Sequence, residues 1–177
     1  LRYAVIRSTT RGELMINIVT SVPNEPKVKD KILELIKVAD PTTLIWSVNN
    51  TSADVSFGNE VKVLYGPGVI NENINNIPFR VSPNAFFQVN PYGAKLLLEV
   101  ICEHVNGIKP KAVVDLYCGT GFFALGIKTK YPNLTIIGVE SMQSAIDDAK
   151  KNTPNIEFVC DQADNWLKNS GPVLAQV

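Results

Sequence analysis

The segment VVDLYCGTGFFALGI, from Val113 to Ile127, places a carboxylate, a cysteine and two glycines between two apolar runs. An apolar strand that passes through a glycine-containing turn into a helix is the usual first connection of a parallel α/β sheet. The alternation continues downstream, with continuous apolar strands of the kind that are buried on both faces. Strands are predicted in AVVDLY, LTIIGVE and IEFVCD, and helices in GFFALGIKTKY and SMQSAIDDAKKN. Residues 83–177 are therefore predicted to form the first half of a doubly wound parallel sheet.

The residues that flank this unit extend the pattern. Asn90 followed by Pro91 predicts a helix start, because asparagine caps free N–H groups and proline fits the first helical position. The helix that follows is expected to bury the stripe with helical spacing, which consists of Leu97, Val100, Ile101 and His104. Further along, NWLKNSG is expected to form one more helical turn, and PVLAQV is a candidate for a fourth strand.

Residues 1–82 follow a different pattern, which predicts a small α+β domain with a mostly antiparallel sheet. YAVIRS and ELMINIVT are strand-like runs joined by a turn that contains Gly12. TLIWSVN, EVKVLYG and NIPFRVS are further strand candidates, separated by polar segments. Between the second and third strands, EPKVKDKILELIKVAD predicts one amphipathic helix, whose apolar stripe is Val28, Ile32, Leu35, Ile36 and Ala39.

The composition limits the class of protein. Hydrophobic residues make up 45% and charged residues 19% of the 177 residues, enough apolar material for a packed core. Basic and acidic residues number 17 each, so binding to nucleic acid would depend on a local patch or on shape. Three dispersed cysteines and one histidine predict neither a disulfide framework nor a metal site. Since no apolar run has transmembrane length, we expect a cytoplasmic protein without a membrane partner.

Each predicted parallel strand ends in, or next to, an acidic residue. Asp115 ends the first strand, Glu140 the second and Asp161 the third. Because ligands bind beyond the carboxyl ends of parallel strands, these side chains are expected to line one site. Between the first strand and its helix, Gly119 and Gly121 give a ligand access to the backbone and to the N–H groups of the helix start.

Two cofactors fit this loop. Gly119 to Ala124 matches G-x-G-x-x-A, the fingerprint of dinucleotide sites, and Glu140 lies about 20 residues further on, where that fold has its ribose-binding acid. Asp115 to Gly121 matches D-x-x-x-G-x-G, the pattern of class I (Rossmann-like) methyltransferases that use S-adenosylmethionine (SAM). A pyrophosphate is repelled by a carboxylate beside its cradle, whereas the ammonium and sulfonium groups of SAM are attracted. Asp115 therefore favours SAM, and Glu140 suits a ribose diol in either case.

The bridge before the loop is more specific. FRVSPNAFFQVNP, Phe79 to Pro91, followed by a helix and VVDLYCGTGFF, resembles the RNA uracil-5-methyltransferases, which make 5-methyluridine in tRNA and rRNA. LRYAVIRS and GELMINIV also resemble the central region of this family, so the likeness covers nearly the whole chain. The resemblance implies an RNA substrate, SAM as cofactor, and a class I methyltransferase sheet preceded by a central α+β domain.

The resemblance also implies roles for individual residues. Gln88 reaches the cofactor in this interpretation, while Tyr117 and the glycine backbone line its loop. Glu140 takes the ribose hydroxyls, and the segment 161–162 lies by the adenine. The residues predicted to bind the cofactor are Gln88, Asp115, Tyr117, Gly119, Gly121, Glu140, Asp161 and Gln162.

Two positions depart from the family pattern. The family commonly has Asn where this chain has Phe122, so any contact there is limited to the backbone N–H. The position after FVC is often Gly in the family and is Asp161 here. Phe86 and Phe87 are expected to form core or pocket walls in preference to a platform for base stacking.

The chemistry that the family implies needs a cysteine thiolate that adds to carbon 6 of uracil and a base that removes the proton from carbon 5. In the family both groups lie downstream of the third strand, and no matching motif precedes Val177. Cys102 and Cys160 are expected to be packed. Cys118 lies beside a helix start, but Asp115 opposes a thiolate there, and the loop would face the methyl donor. We therefore expect a fragment with most of the SAM site, no catalytic residue, no methyl transfer by itself and an unpaired sheet edge.

Two other functions are compatible with the sequence. One is a non-catalytic RNA-binding or assembly module with a relic SAM fold, although acids at three strand ends argue against a relic. The other is a class I methyltransferase or a dinucleotide enzyme that acts on another substrate. Within these residues, the FFQVN motif is what separates the last two from the uracil-5-methyltransferases.

Overall fold

The computed structural model describes residues 1–21 and 26–170, whose contacts group into two compact units. The first consists of Leu1–Asn73 and Val81–Asn84, and the second of Ile74–Arg80 and Ala85–Val177. Residues 74–80, which precede the predicted boundary at residue 82, thus group with the second unit. The candidate fourth strand PVLAQV lies outside the described residues.

The first unit contains a four-stranded sheet in the order β1-β2-β3-β4. Its strands are β1 (Tyr3–Ser8), β2 (Leu14–Thr20), β3 (Thr43–Val48) and β4 (Glu60–Tyr65). β1 and β2 form the predicted antiparallel hairpin, with Gly12 at a φ of +80° in its turn. β2 and β3 pair in parallel and β3 and β4 antiparallel, so the sheet is mixed. A helical connection between β2 and β3 is the crossover that a parallel pair needs.

The single helix predicted between β2 and β3 is two consecutive helices, α1 (Pro26–Leu33) and α2 (Leu35–Ala39). The predicted apolar stripe nevertheless packs as one surface, because all of its residues join a cluster with Ile16, Leu44 and Trp46. Periodicity therefore predicted the buried face but not the interruption at Glu34.

β5 (Ile70–Ile74) and β6 (Ile77–Val81) form a two-stranded sheet. Two of the boundaries between the units fall within these strands, after Asn73 and after Arg80. β6 corresponds to a predicted strand, whereas β5 was not predicted, because asparagine and glutamate are poor strand formers. Glu72 is buried in β5 and accepts a hydrogen bond from the Thr10 N–H (2.9 Å), which satisfies one of its oxygens.

The second unit contains a three-stranded parallel sheet in the order β7-β8-β9. The strands are β7 (Ala112–Leu116), β8 (Thr135–Glu140) and β9 (Glu157–Cys160). The helices are α3 (Pro91–Ile108), α4 (Phe122–Lys130), α5 (Gln143–Asn152) and α6 (Ala163–Asn169). This β-α-β-α-β arrangement, preceded by α3 and followed by α6, confirms the predicted fold class. Among the described residues, the outer edge of β7 carries no strand.

α3 begins as predicted. The side-chain oxygen of Asn90 accepts a hydrogen bond from the Gly93 N–H (3.0 Å), and Pro91 occupies the first helical position. This cap fixes the point at which the FFQVN segment ends and the helix starts.

α3 buries a different face from the predicted one. Leu97 is 48% exposed, and Val100 and His104 of the same stripe are exposed as well. The buried residues are Ala94, Leu98 and Cys102, and Ile101 of the predicted stripe is half-buried against the same core. Gly126 of α4 decides the face, since a Cβ at that position would lie 2.5 Å from Leu98 Cδ2. The absence of a side chain there leaves the space that Leu98 fills.

This choice of face is testable by truncating one leucine on each side of α3. Leu98→Ala is expected to lower the free energy of unfolding by about 2–5 kcal/mol, because it leaves a cavity against α4. Leu97→Ala is the matched control, and its half-exposed side chain predicts a loss below about 1 kcal/mol. Urea denaturation measures both values, and equal losses would contradict the assigned face.

Candidate functional site

The loop between β7 and α4 turns sharply over the end of β8. Tyr117, Gly119 and Gly121 have positive φ angles of 61°, 54° and 80°. The Cys118 N–H donates to the Val139 carbonyl (3.1 Å), and the Gly121 N–H donates to the Cys118 carbonyl (2.9 Å). A non-glycine residue in this conformation is uncommon, so the backbone of Tyr117 is held by its surroundings.

Two glycines allow the loop, β8 and β9 to approach one aromatic ring. A Cβ on Gly121 would lie 2.9 Å from Phe158 Cζ, and a Cβ on Gly138 would lie 2.5 Å from Phe158 Cδ1. The same Cβ on Gly138 would lie 2.9 Å from Cys118 Sγ. Glycine is therefore required at both positions by packing, in addition to the positive φ of Gly121.

Asp115, the acidic residue of β7, is hydrogen-bonded to the start of α4. Its Oδ2 accepts a hydrogen bond from the Ala124 N–H (3.1 Å), one of the N–H groups at the start of α4. Burial raises the pKa of Asp115 to about 6, and the Ala124 hydrogen bond acts in the opposite direction. The carboxyl group is thus partly protonated near pH 6 in the ligand-free chain. The sequence did not predict this contact with α4.

Glu140, at the end of β8, is joined to the glycine loop. Its Oε2 accepts a hydrogen bond from the Gly119 N–H (3.2 Å). Its Oε1 accepts from the Met142 N–H (2.9 Å) and from the Ser141 hydroxyl (3.1 Å). These hydrogen bonds fix the carboxylate between the glycine loop and the start of α5, beside Gly119, which has no side chain.

Asp161 and Gln162 directly follow β9, the strand that pairs with β8. The Asp161 N–H donates to the Glu140 carbonyl (3.0 Å), which continues the pairing of β8 with β9. Asp161 Oδ1 accepts from the Gln162 N–H (2.7 Å), and the Gln162 side chain is exposed at the start of α6. Both residues thus occupy the carboxyl end of the third strand, as predicted.

A small cleft, with an internal volume of about 40 Å³, opens beside the loop. It brings together Gln88, Tyr117 and Gly119 of the predicted site, and its other lining residues are Phe86, Phe87, Cys118, Thr120, Phe122 and Phe123. The cleft is thus much smaller than a complete small-molecule site, which typically measures roughly 300–1,000 Å³. Asp115, Gly121, Glu140, Asp161 and Gln162 do not line this cleft, but Glu140 contacts it through Gly119.

Phe122, where the sequence departs from the family pattern, is part of an aromatic cluster. It is buried, and its ring centroid lies 5.1 Å from Phe79, 6.0 Å from Phe87 and 4.9 Å from Phe123. Phe87 is therefore a core and pocket-wall residue, whereas Phe86 is 68% exposed. The ring of Phe122 thus packs the FFQVN segment against the start of α4.

The three cysteines differ in burial. Cys102 and Cys118 are buried, as predicted, and Cys160 is exposed, so its predicted packing is wrong. Burial, followed by the nearby carboxylates of Asp115 and Glu140, raises the pKa of Cys118 to about 12. Burial also raises the pKa of Cys102. Cys160 is the last residue of β9, which pairs only with β8 among the described residues, and its Sγ lies 3.6 Å from the Ser141 carbonyl.

Neither a cluster of metal ligands nor a membrane-spanning helix is present among the described residues. No group of three or more His, Cys, Asp and Glu residues there is arranged to hold a metal ion. No helix in the same part of the chain has the length and apolar content needed to cross a membrane.

Comparison with known proteins places this site in a methyltransferase fold. A family model described as a methyltransferase domain matches residues 113–174. An uncharacterized RNA methyltransferase of Oceanobacillus iheyensis is 34% identical over 94% of this chain and 38% of its own length. A tRNA (uracil(54)-C(5))-methyltransferase of Pyrococcus horikoshii is 36% identical over 86% of this chain and 35% of its own.

A solved structure agrees with these sequence matches. The crystal structure of the Pyrococcus abyssi tRNA (uracil-54, C5)-methyltransferase in complex with S-adenosyl-L-homocysteine has a TM-score of 0.72 at 30% identity. The match covers 89% of this chain and 38% of that one. The chain is therefore homologous to one segment of a family of RNA methyltransferases, which confirms the resemblance predicted from its sequence. It spans about two fifths of the length of the curated relatives it matches.

Proposed function

We propose that this chain forms the SAM-binding part of an RNA methyltransferase that methylates carbon 5 of a uridine. The observation that carries the proposal is the hydrogen bond from the Gly119 N–H to the Glu140 carboxylate (3.2 Å). This hydrogen bond places the glycine loop, which a ligand can approach closely because Gly119 has no side chain, beside a carboxylate that can accept hydrogen bonds from hydroxyl groups. A nucleoside ligand needs both elements. Homology to RNA methyltransferases and the S-adenosyl-L-homocysteine complex of the solved relative support the choice of ligand.

The residues at the ends of β8 and β9 suit the nucleoside half of SAM. Each carboxylate oxygen of Glu140 has two lone pairs, so its protein hydrogen bonds leave capacity for the ribose hydroxyls. The segment 161–162 lies one strand further along and is proposed to contact the adenine. We also propose that residues 83–177 are the SAM-binding domain and that residues 1–82 are a separate central domain.

The residues at the end of β7 suit the amino-acid half of SAM. Asp115 is proposed to attract the ammonium group, and Gln88, Tyr117 and the glycine loop to enclose the cleft. An ammonium group beside a buried carboxylate favours its ionised form, whereas a pyrophosphate would disfavour it. Bound SAM supplies an electrophilic methyl group at this edge of the sheet. The protein's part is to hold the ligand and to exclude water with the aromatic cluster.

The thiolate that a uracil-C5 methylation requires is proposed to lie outside these 177 residues. Cys102 and Cys118 are buried and their pKa values are raised, so neither is a thiolate near neutral pH. Cys160 is exposed, but it pairs with Glu140, next to the residues proposed to hold the ribose and the adenine. A nucleophile there would not face the methyl group.

Ligand binding tests the first half of this proposal. Calorimetry on the chain is expected to show SAM binding and no NADH binding. SAM affinity is expected to fall as the pH is lowered below about 6, by at most about tenfold per pH unit, because protonation of Asp115 removes the charge that attracts the ammonium.

A matched variant isolates the Asp115 effect. Asp115→Asn keeps an oxygen for the Ala124 N–H and is expected to weaken SAM binding roughly 10- to 100-fold at pH 7.5. Its affinity is expected to lose the pH dependence around 6. NADH binding without SAM binding, or an unchanged affinity of Asp115→Asn, would contradict the proposed site.

RNA methylation tests the second half. In a protein that contains this chain together with the remainder of the family's length, labelled SAM is expected to methylate RNA at carbon 5 of uridine. RNA that carries 5-fluorouridine is expected to remain covalently bound to the protein. The base can remove a proton from carbon 5 but not a fluorine, so the elimination that releases the RNA is blocked. Transcripts of tRNA and of rRNA, supplied separately, distinguish the two substrate classes. Methylation of adenine or guanine, or RNA binding without methyl transfer, would sink the uracil assignment.

A further inference from the structure

Asn152, the last residue of α5, connects two segments that are far apart in sequence. Its side-chain oxygen accepts a hydrogen bond from the Arg80 N–H in β6 (2.7 Å). Its side-chain nitrogen donates to the Arg80 carbonyl (3.3 Å) and to the Thr120 carbonyl of the glycine loop (3.1 Å). One amide thus links β6 to the loop between β7 and α4.

The hydrogen bonds of Asn152 define its orientation. An N–H donor and two carbonyl acceptors surround the side chain, and the arrangement with the oxygen toward the Arg80 N–H satisfies all three. Thr120 is 2% exposed, so water does not provide an alternative partner for its carbonyl. Removal of the donor would therefore leave a buried carbonyl without its side-chain partner.

The Thr120 carbonyl and the Gly121 N–H belong to the same peptide group. The Gly121 N–H donates to the Cys118 carbonyl (2.9 Å), and the Thr120 carbonyl accepts from Asn152. Because the peptide group is planar, these two hydrogen bonds together fix its orientation. This peptide leads directly into α4, whose first residues, Phe122 and Phe123, line the cleft. Its orientation sets the direction of the first N–H groups of α4.

We propose that Asn152 is a positioning residue for the SAM site, acting through the Thr120–Gly121 peptide. The inference rests on the proposed function, since it assumes that the glycine loop binds SAM. By holding the Thr120 carbonyl toward α5, Asn152 keeps the loop open on the side where Gly119 and the start of α4 meet the cleft. It does not touch the ligand itself.

Arg80 provides the fixed end of this connection. Its Nε lies 3.6 Å from Oδ1 of Asp148, which is buried one helical turn before Asn152 on α5. Arg80 is thus held at its backbone by Asn152 and at its side chain by Asp148. The glycine loop is therefore supported by the β6–α5 contact as well as by the end of β8.

Two substitutions separate positioning from general stability. Asn152→Asp has the same shape and keeps an acceptor for the Arg80 N–H, but places a carboxylate against the Thr120 and Arg80 carbonyls. Asn152→Ala removes all three hydrogen bonds. Tyr131→Phe is the control, because it removes a hydrogen bond to the Cys102 carbonyl (2.8 Å) at the opposite end of α4.

The measurements are SAM affinity by calorimetry and hydrogen exchange of individual amides in the ligand-free chain. Both Asn152 variants are expected to bind SAM roughly tenfold more weakly and to exchange the Gly119 and Gly121 amides faster. The Arg80 amide is expected to exchange faster in Asn152→Ala only. Tyr131→Phe is expected to lower the melting temperature without changing the SAM affinity or the exchange of the loop.

The outcomes distinguish this inference from the proposed function. If the unvaried chain binds SAM and Asn152→Asp binds within twofold, with unchanged exchange of Gly119 and Gly121, the positioning role is overturned. If the unvaried chain does not bind SAM, the proposed function fails. Loop exchange then still decides whether Asn152 orients the Thr120–Gly121 peptide.

Discussion

The contact of the glycine loop with the end of β8 is the constraint on which the rest of the site depends. The Cys118 N–H donates to the Val139 carbonyl and the Gly119 N–H to the Glu140 carboxylate, so the chain must turn back over its neighbouring strand. Glycines at 121 and 138 are then required, because the loop, β8 and β9 converge on the ring of Phe158. The conformation of the loop between β7 and α4 thus determines how the end of the sheet packs. It also determines which part of the loop a ligand can reach.

The chemistry of the site follows from this path. Folding the loop inward buries Asp115, which raises its pKa and directs one oxygen to the start of α4. It also buries Cys118, and this burial, followed by the negative charges of Asp115 and Glu140, raises the pKa of its thiol. Cys118 is therefore a packing residue, and the carboxylates at the strand ends are the charged groups that remain for a ligand.

The fold class was predictable because continuous apolar strands, glycine turns and the helix start at Asn90 and Pro91 all indicate the same parallel sheet. The buried face of α3 was not, since both of its apolar stripes have helical spacing and the choice depends on the absent side chain of Gly126. The positions of Glu140 and Asp161 follow from strand ends, and the structure places them there. The role of Asn152 has no sequence pattern, because it depends on β6 and the loop meeting at the end of α5.

The most direct test of the central claim is an NMR titration of the chain with S-adenosyl-L-homocysteine, followed through the backbone amides. If the glycine loop and Glu140 form the site, the largest shifts are predicted at residues 86–88, 117–123, 140–142 and 161–162. Saturable shifts at those amides, with none from NADH, are the expected result. Shifts confined to other parts of the sheet, or no shifts at saturating ligand, would contradict the account.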